Sequence, residues 1–237
     1  ETPMVNLRKL PTDRLEAMAI AGEQVVECYR LLQKSDSNVV AEILRGQGTF
    51  YELDHYPAGD VHDSATHSQY FYHSHREGEH GHFHTFLRSA GMPEECHPVA
   101  QSEAPFMKKR DDKISHLIAI SMDQAGFPIR LFTTNRWITA DNWYGADDVI
   151  KMLDYFEMDL ALPSWPVNIW LTAMLRLYRP QIIELVRERD AAVAKWQQEH
   201  PDVDAFEDRA CDITSVRKIS VEAQIKRVSE ALTAAAA

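Results

Sequence analysis

The stretch His73-Ser-His75-Arg-Glu-Gly-Glu79-His80-Gly-His82-Phe-His84 constrains this chain more than any other part of its sequence. Two His-x-His pairs flank a segment holding Gly78 and Gly81, the residue type that tight turns favour. Ten of the eleven histidines lie between His55 and His116, and seven of those between His62 and His84. Residues two apart in a strand share a face, so each His-x-His pair projects two neighbouring imidazoles. With Arg76 to Gly81 as the loop of a hairpin, His75 stands opposite His82 and His73 opposite His84, and directly opposed residues lie on one side. The same register sets Phe71 opposite Phe86 among the histidines and leaves Tyr72, Phe83, Thr85 and Leu87 on the reverse face. Both faces then read as buried.

Burial gives the pattern its chemical meaning. Unpaired imidazoles in an apolar layer are costly, whereas coordinating a cation satisfies one nitrogen of each. The spacing predicts a centre for one divalent transition metal held by His73, His75, His82 and His84. Iron is the favoured ion, with zinc, copper, manganese or nickel as alternatives. Glu79 and His116 are the candidate catalytic groups, as further ligands or proton carriers. Strict alternation sets His116 on the face of Ile114, Ile118, Ile120 and Met122, with Thr133 and Asn135 beside it. His62 and Asp60, together with Asn135 and Arg136, are candidates for the substrate side. His80 is expected to face solvent in the turn.

The rest of the chain predicts an α+β fold in a single domain over residues 1–237: N-terminal helices (13–48), a histidine-rich antiparallel sheet (49–140) and a helical C-terminal part (147–233). Thr12 caps a helix at 13–34 carrying Leu15, Met18, Gly22, Val25, Val26, Tyr29 and Leu32 on its core side. A short helix follows at 38–45, then a strand from Thr49 to Tyr56 ended by Pro57 and Gly59. Period-two runs rich in Tyr, Phe, Thr and Ile mark strands at 68–75, 82–88, 114–122 and 127–137. A long loop, 89–113, holds the charge run Lys108 to Lys113. Asp147 caps a helix through Phe156. The helical pattern from Pro166 to His200 is split by Pro180, and its buried side includes Trp165, Ile169, Trp170, Ala173, Met174 and Leu177. After the acidic stretch Asp202 to Asp212, Ser220 caps a last helix at 221–232.

A net charge of −11 opposes binding to a phosphate backbone, so no nucleic-acid partner is expected. No apolar run reaches membrane-spanning length and no signal-peptide layout opens the chain, which reads as cytoplasmic with no membrane partner. Cys28, Cys96 and Cys211, without a CxxC pair, read as reduced and buried thiols. The long helix near 166–199 offers a surface for a homodimer.

His73-x-His75-xxx-Glu79 with a distant His116 resembles the first metal motif of the cupins, which implies a small barrel holding iron, manganese, zinc, nickel or copper. His67 and Phe86 stand where that motif has glycines. The string Ser68-Gln-Tyr-Phe-Tyr-His-Ser-His75 with Glu79-His-Gly-His-Phe-His84 is also similar to a bacterial domain family of unknown function that carries it. Three functions fit these residues. The first is a mononuclear non-haem iron (or similar) oxygenase or isomerase acting on a small organic substrate. The second is a zinc-dependent hydrolase with Glu79 or His116 as base. The third is a non-enzymatic metal-binding or metal-sensing module, which requires a coordinatively closed site.

Overall fold

The period-two runs pair into one six-stranded antiparallel sheet in the computed structural model, which describes residues 5–100 and 113–236. Its strands are β1 (Tyr56–His62), β2 (Ser68–His73), β3 (Gly81–Arg88), β5 (Ile114–Met122), β6 (Pro128–Thr134) and β8 (Ile213–Lys218), in the order β1-β2-β3-β5-β6-β8. A two-stranded ribbon joins β4 (Pro98–Ala100) to β7 (Trp143–Tyr144). The sheet is open, with β1 and β8 at its edges, so the barrel implied by the cupin resemblance does not form. Residues 101–112, including Pro105 and most of the charge run, lie outside the described residues.

The helices are α1 (Thr12–Gln33), α2 (Val39–Leu44), α3 (Arg136–Thr139), α4 (Ala146–Met152), α5 (Trp165–Leu177), α6 (Arg179–Glu199) and α7 (Val221–Ala235). One side of the sheet, with Tyr70, Tyr72, Phe83, Leu87, Ile118, Ile120 and Leu131, joins these helices in the main core. Asn168 on α5 accepts the Tyr70 hydroxyl at 2.6 Å, and the Trp170 ring lies 5.6 Å from Phe83. α1 packs on α5 and α7, and α6 on β6 and β8. Gly22 makes the α1 contact close, since a Cβ there would sit 3.0 Å from Ile225. Among the described residues no helix is long and apolar enough to cross a membrane. All three cysteines are free and buried.

Several expectations need correction. Thr12 is the first residue of α1 rather than its cap, which is Pro11, and Gly145 rather than Asp147 precedes α4. Ser220 caps α7 through its side chain as expected, and Asn38, expected inside the second helix, caps α2 instead. Pro180 falls at the start of α6, where a missing N–H costs nothing, and the helical pattern breaks there as expected. Val26 and Trp165 are exposed instead of buried, while Trp170, Ala173, Met174 and Leu177 are core. Thr49 to Tyr56 is irregular, and the first strand begins where that segment ends. Pro57 and Gly59 sit in the bulged part of β1, a place an edge strand allows. The expected strand 127–137 stops at Thr134 because Asn135 caps α3. β8 had no counterpart in the sequence reading; it is an edge strand with only half its residues covered, so its alternation is weak.

Candidate metal centre

The face of the sheet away from the main core carries the histidines. β2 and β3 pair His73 with His82, Phe71 with His84 and Gln69 with Phe86. This register differs from the expected one: β2 ends at His73, and the connection runs from Ser74 to His80. The displacement is by two positions, and an even displacement keeps every side chain on its face. His73, His82 and His84 therefore still converge, whereas His75 leaves the ladder and joins the connection.

On the next strand, His82 faces Ser121 and His84 faces Ala119, small residues that leave room for the rings. Between Thr85 and Phe86 the pairing jumps from Ile118 to His116, so Leu117 is an extra residue in β5. This bulge turns His116 and Ile114 onto the histidine face, while Ile118, Ile120 and Met122 stay in the helix-side core. The expected grouping of His116 with those three residues is thus overturned, although His116 does reach the site. Thr133 points away from it, bonding Thr214 and Ser215.

His73, His82 and His84 are buried and offer nitrogens that all lie within 4.8 Å of one another, an arrangement that could hold a metal ion. His73 Nε2 and His82 Nε2 are 2.8 Å apart. Each of the two β3 histidines is oriented through its other nitrogen. Glu79 bonds His82 Nδ1, and His116 Nε2 lies 2.8 Å from His84 Nδ1. Such outer partners set ring orientation and tautomer in metal sites, and they leave Nε2 of both rings directed inward. His84 Nε2 and His73 Nδ1 are both buried with no hydrogen-bond partner among the described residues. A buried nitrogen with nothing to bond is costly, and a cation at His84 Nε2 removes that cost.

Aromatic rings wall the centre. Phe132 lies 5.2 Å from His82, and Phe71 5.2 Å from His84. Burial drives the imidazoles toward their neutral, ligand-competent form. The His73 pKa is pushed down to about 2 by burial and then by the neighbouring imidazoles, and that of His84 lies well below its ordinary value for the same reasons. Burial also lowers His82, against the pull of Glu79, and takes His116 to about 3 with help from Arg189. For Glu79, burial raises the carboxyl, but its bond to His82 and the charge of Arg130 hold it below the usual range.

The remaining predicted residues are placed as follows. The His75 ring lies 4.7 Å from His73 and 5.0 Å from His82, half-buried at the mouth of a cleft. Asp60 accepts from Gln69 Nε2 at 2.7 Å and meets His55 Nδ1 at 2.8 Å. His55 stacks on Phe71 with centroids 3.6 Å apart, so Asp60 serves the rim of the site through His55. His62 is exposed, with its ring 6.2 Å from His67. Asn135 bonds the carbonyls of Ala205 and Cys211, and Arg136 pairs with Glu207 beneath the ring of Phe206; the pair shapes a loop junction. His80, expected in solvent, is half-buried, bonds the Tyr72 hydroxyl at 2.7 Å and stacks on Phe50.

Sequence reasoning passed over Arg76, Arg130 and Asp212. They line a cleft of about 340 Å³ together with His75, Glu79 and Phe132, immediately beside the histidines. Arg130 precedes Phe132 by two in β6, a spacing that carried the signal. Asp212 is brought in by the register of β8, which no local pattern announces.

An antiparallel sheet with helices packed on one face, and on the other a buried group of three histidines that could hold a metal ion, places the chain in the α+β class. The family profile of a domain of unknown function, DUF6969, matches residues 19–219, and the chain belongs to that family. No curated protein and no solved structure matches it.

Proposed function

We propose that the chain is a mononuclear metal-dependent enzyme, of the non-haem iron oxygenase or isomerase kind, acting on a small organic substrate. The observation that carries this reading is the buried Nε2 of His84, beside His73 and His82 and without a hydrogen-bond partner among the described residues, while Glu79 and His116 orient the His82 and His84 rings through Nδ1. Three neutral imidazoles would hold the ion and leave coordination positions open. When bound, such an ion supplies Lewis acidity and, if it is iron, redox capacity.

The chain's own residues do the rest. Glu79 and His116 hold ligand rings in place, and Phe71 and Phe132 exclude water. The cleft at His75 and Phe132 admits a small molecule, which favours an enzyme over a closed sensing module. The three-histidine set also supports zinc-dependent hydrolysis, since the same donor set serves catalytic zinc. Against that second reading, both candidate bases are already bonded to ligand imidazoles.

Elemental analysis of protein purified without nickel affinity, paired with an oxygen-free spectrum after ferrous addition, tests the reading. Near-stoichiometric iron with an optical change on exposure to oxygen supports it. Tightly held zinc moves the assignment to hydrolysis, and absence of any bound metal refutes the metal centre.

A further inference from the structure

The cleft beside the histidines has a chemistry of its own. Arg130 and Phe132 both project onto the histidine face, since their partners on β5 are Ser121 and Ala119. Arg76 comes from the β2–β3 connection and sets its guanidinium carbon 5.5 Å from the Phe132 centroid. Arg130 stands two positions from Phe132 on the same face, and both arginines line the cleft that this ring floors.

The hydrogen-bond capacity of both arginines is only partly used. Asp212 takes Arg76 Nη2 at 2.6 Å and Nη1 at 3.4 Å. Arg76 Nε remains buried with no partner among the described residues. Arg130 spends Nη2 alone, on Gly78 O at 3.2 Å and Glu79 Oε2 at 3.4 Å. Its Nε and Nη1 have no bond among the described residues. The carboxylates of Asp212 and Glu79 are occupied by Arg76 and His82, and Glu77 stands exposed at the rim. The cleft therefore has donors left over around an aromatic floor.

Resting on the metal-enzyme reading above, we infer that the substrate is a small organic acid whose carboxylate is clamped between Arg76 and Arg130, with its apolar body over Phe132 toward His82. Guanidinium–carboxylate bonds are the strong, charge-assisted kind, and a planar acid group matches their fork. An amine would leave those donors without acceptors.

Phenylacetate and its neutral analogue phenylacetamide, both of a size for this cleft, provide the probes. Their binding is measured by calorimetry and ligand-observed NMR on zinc-loaded and on metal-free protein, with zinc content determined in parallel. The acid is expected to bind at least about tenfold more tightly than the amide in both forms, and Arg130→Met and Arg76→Met each to remove most of that preference. Zinc content stays unchanged in both variants. Should Arg76→Met fail to fold because its bond to Asp212 is lost, Arg130→Met decides alone. Equal affinity for acid and amide overturns the clamp, as does a preference that survives in a folded Arg130→Met protein. A preference present only with zinc assigns the carboxylate to the ion, which overturns the clamp and leaves the metal centre standing. A preference without any zinc uptake supports the clamp and sinks the metal reading.

Discussion

Lowering the pH of the metal-free protein from 7.5 to 4.5 should strip away a large part of its stability, because buried imidazoles are held neutral. An unfolded histidine takes up a proton near pH 6.5. Where the folded pKa is much lower, the unfolded chain binds that proton first, so the contribution is fully present above 6.5 and lost as pH falls toward the folded value. Each such group costs about 1.4 kcal/mol at pH 5.5 and about 2.7 kcal/mol at pH 4.5. His73, taken to about 2, and His116, taken to about 3, together remove about 5.5 kcal/mol at pH 4.5.

One buried carboxyl acts in the opposite direction. Asp141, which accepts the backbone N–H of His116 at 2.8 Å, has its pKa raised to about 6 by burial. It takes up a proton in the fold before it does so in the unfolded chain, and returns about 2 kcal/mol by pH 4.5. The net loss from these three groups is about 3.5 kcal/mol, and His82 and His84, also lowered, add to it. Against a typical domain stability of about 5–15 kcal/mol this is a large fraction. Urea denaturation followed by circular dichroism at intervals of one pH unit measures it, on protein freed of metal by a chelator. His116→Asn should flatten the dependence below pH 6 by about 1.4 kcal/mol per unit. A stability unchanged or increased between pH 7.5 and 4.5 would refute the neutral, buried imidazole cluster.

His73→Ala and His84→Ala should each abolish most metal uptake in elemental analysis, whereas His200→Ala, whose ring stacks on Trp196 far along α6, should leave it unchanged; equal behaviour of all three would remove the basis for the site. Glu79→Gln keeps the shape but loses the charge on His82 Nδ1, and should weaken metal affinity about 10- to 100-fold in a chelator competition without unfolding the protein. Gly81→Ala would bring a Cβ within 2.6 Å of the Tyr72 hydroxyl and 2.7 Å of the His73 carbonyl, so the melting temperature should fall by an amount equivalent to about 1–3 kcal/mol. A Gly81→Ala protein as stable as the parent would show that the hairpin closes differently.

The amino-acid pattern alone was enough to bring His73, His82 and His84 together. Strand periodicity assigns the face, and any displacement of register by an even number of residues preserves it, so the misplaced loop of the hairpin did no harm to this conclusion. The helices at α1, α5, α6 and α7 were likewise legible, because apolar spacing, the break at Pro180 and the capping residue Ser220 act locally. His75 was overcommitted to the ladder, since where β2 stops depends on the length of the connection, and Gly78 and Gly81 are compatible with more than one.

Tertiary structure alone decided the remainder. The extra residue Leu117 in β5 carries His116 to the histidine face, and a bulge is set by pairing with β3, not by the sequence of β5 itself. The edge strand β8, weakly alternating because one side is bare, delivers Asp212 to Arg76 across 136 positions of chain. Periodicity reports which way a side chain points along its own strand; which strands meet, and where a bulge reverses that direction, is settled only by the long-range packing of the sheet.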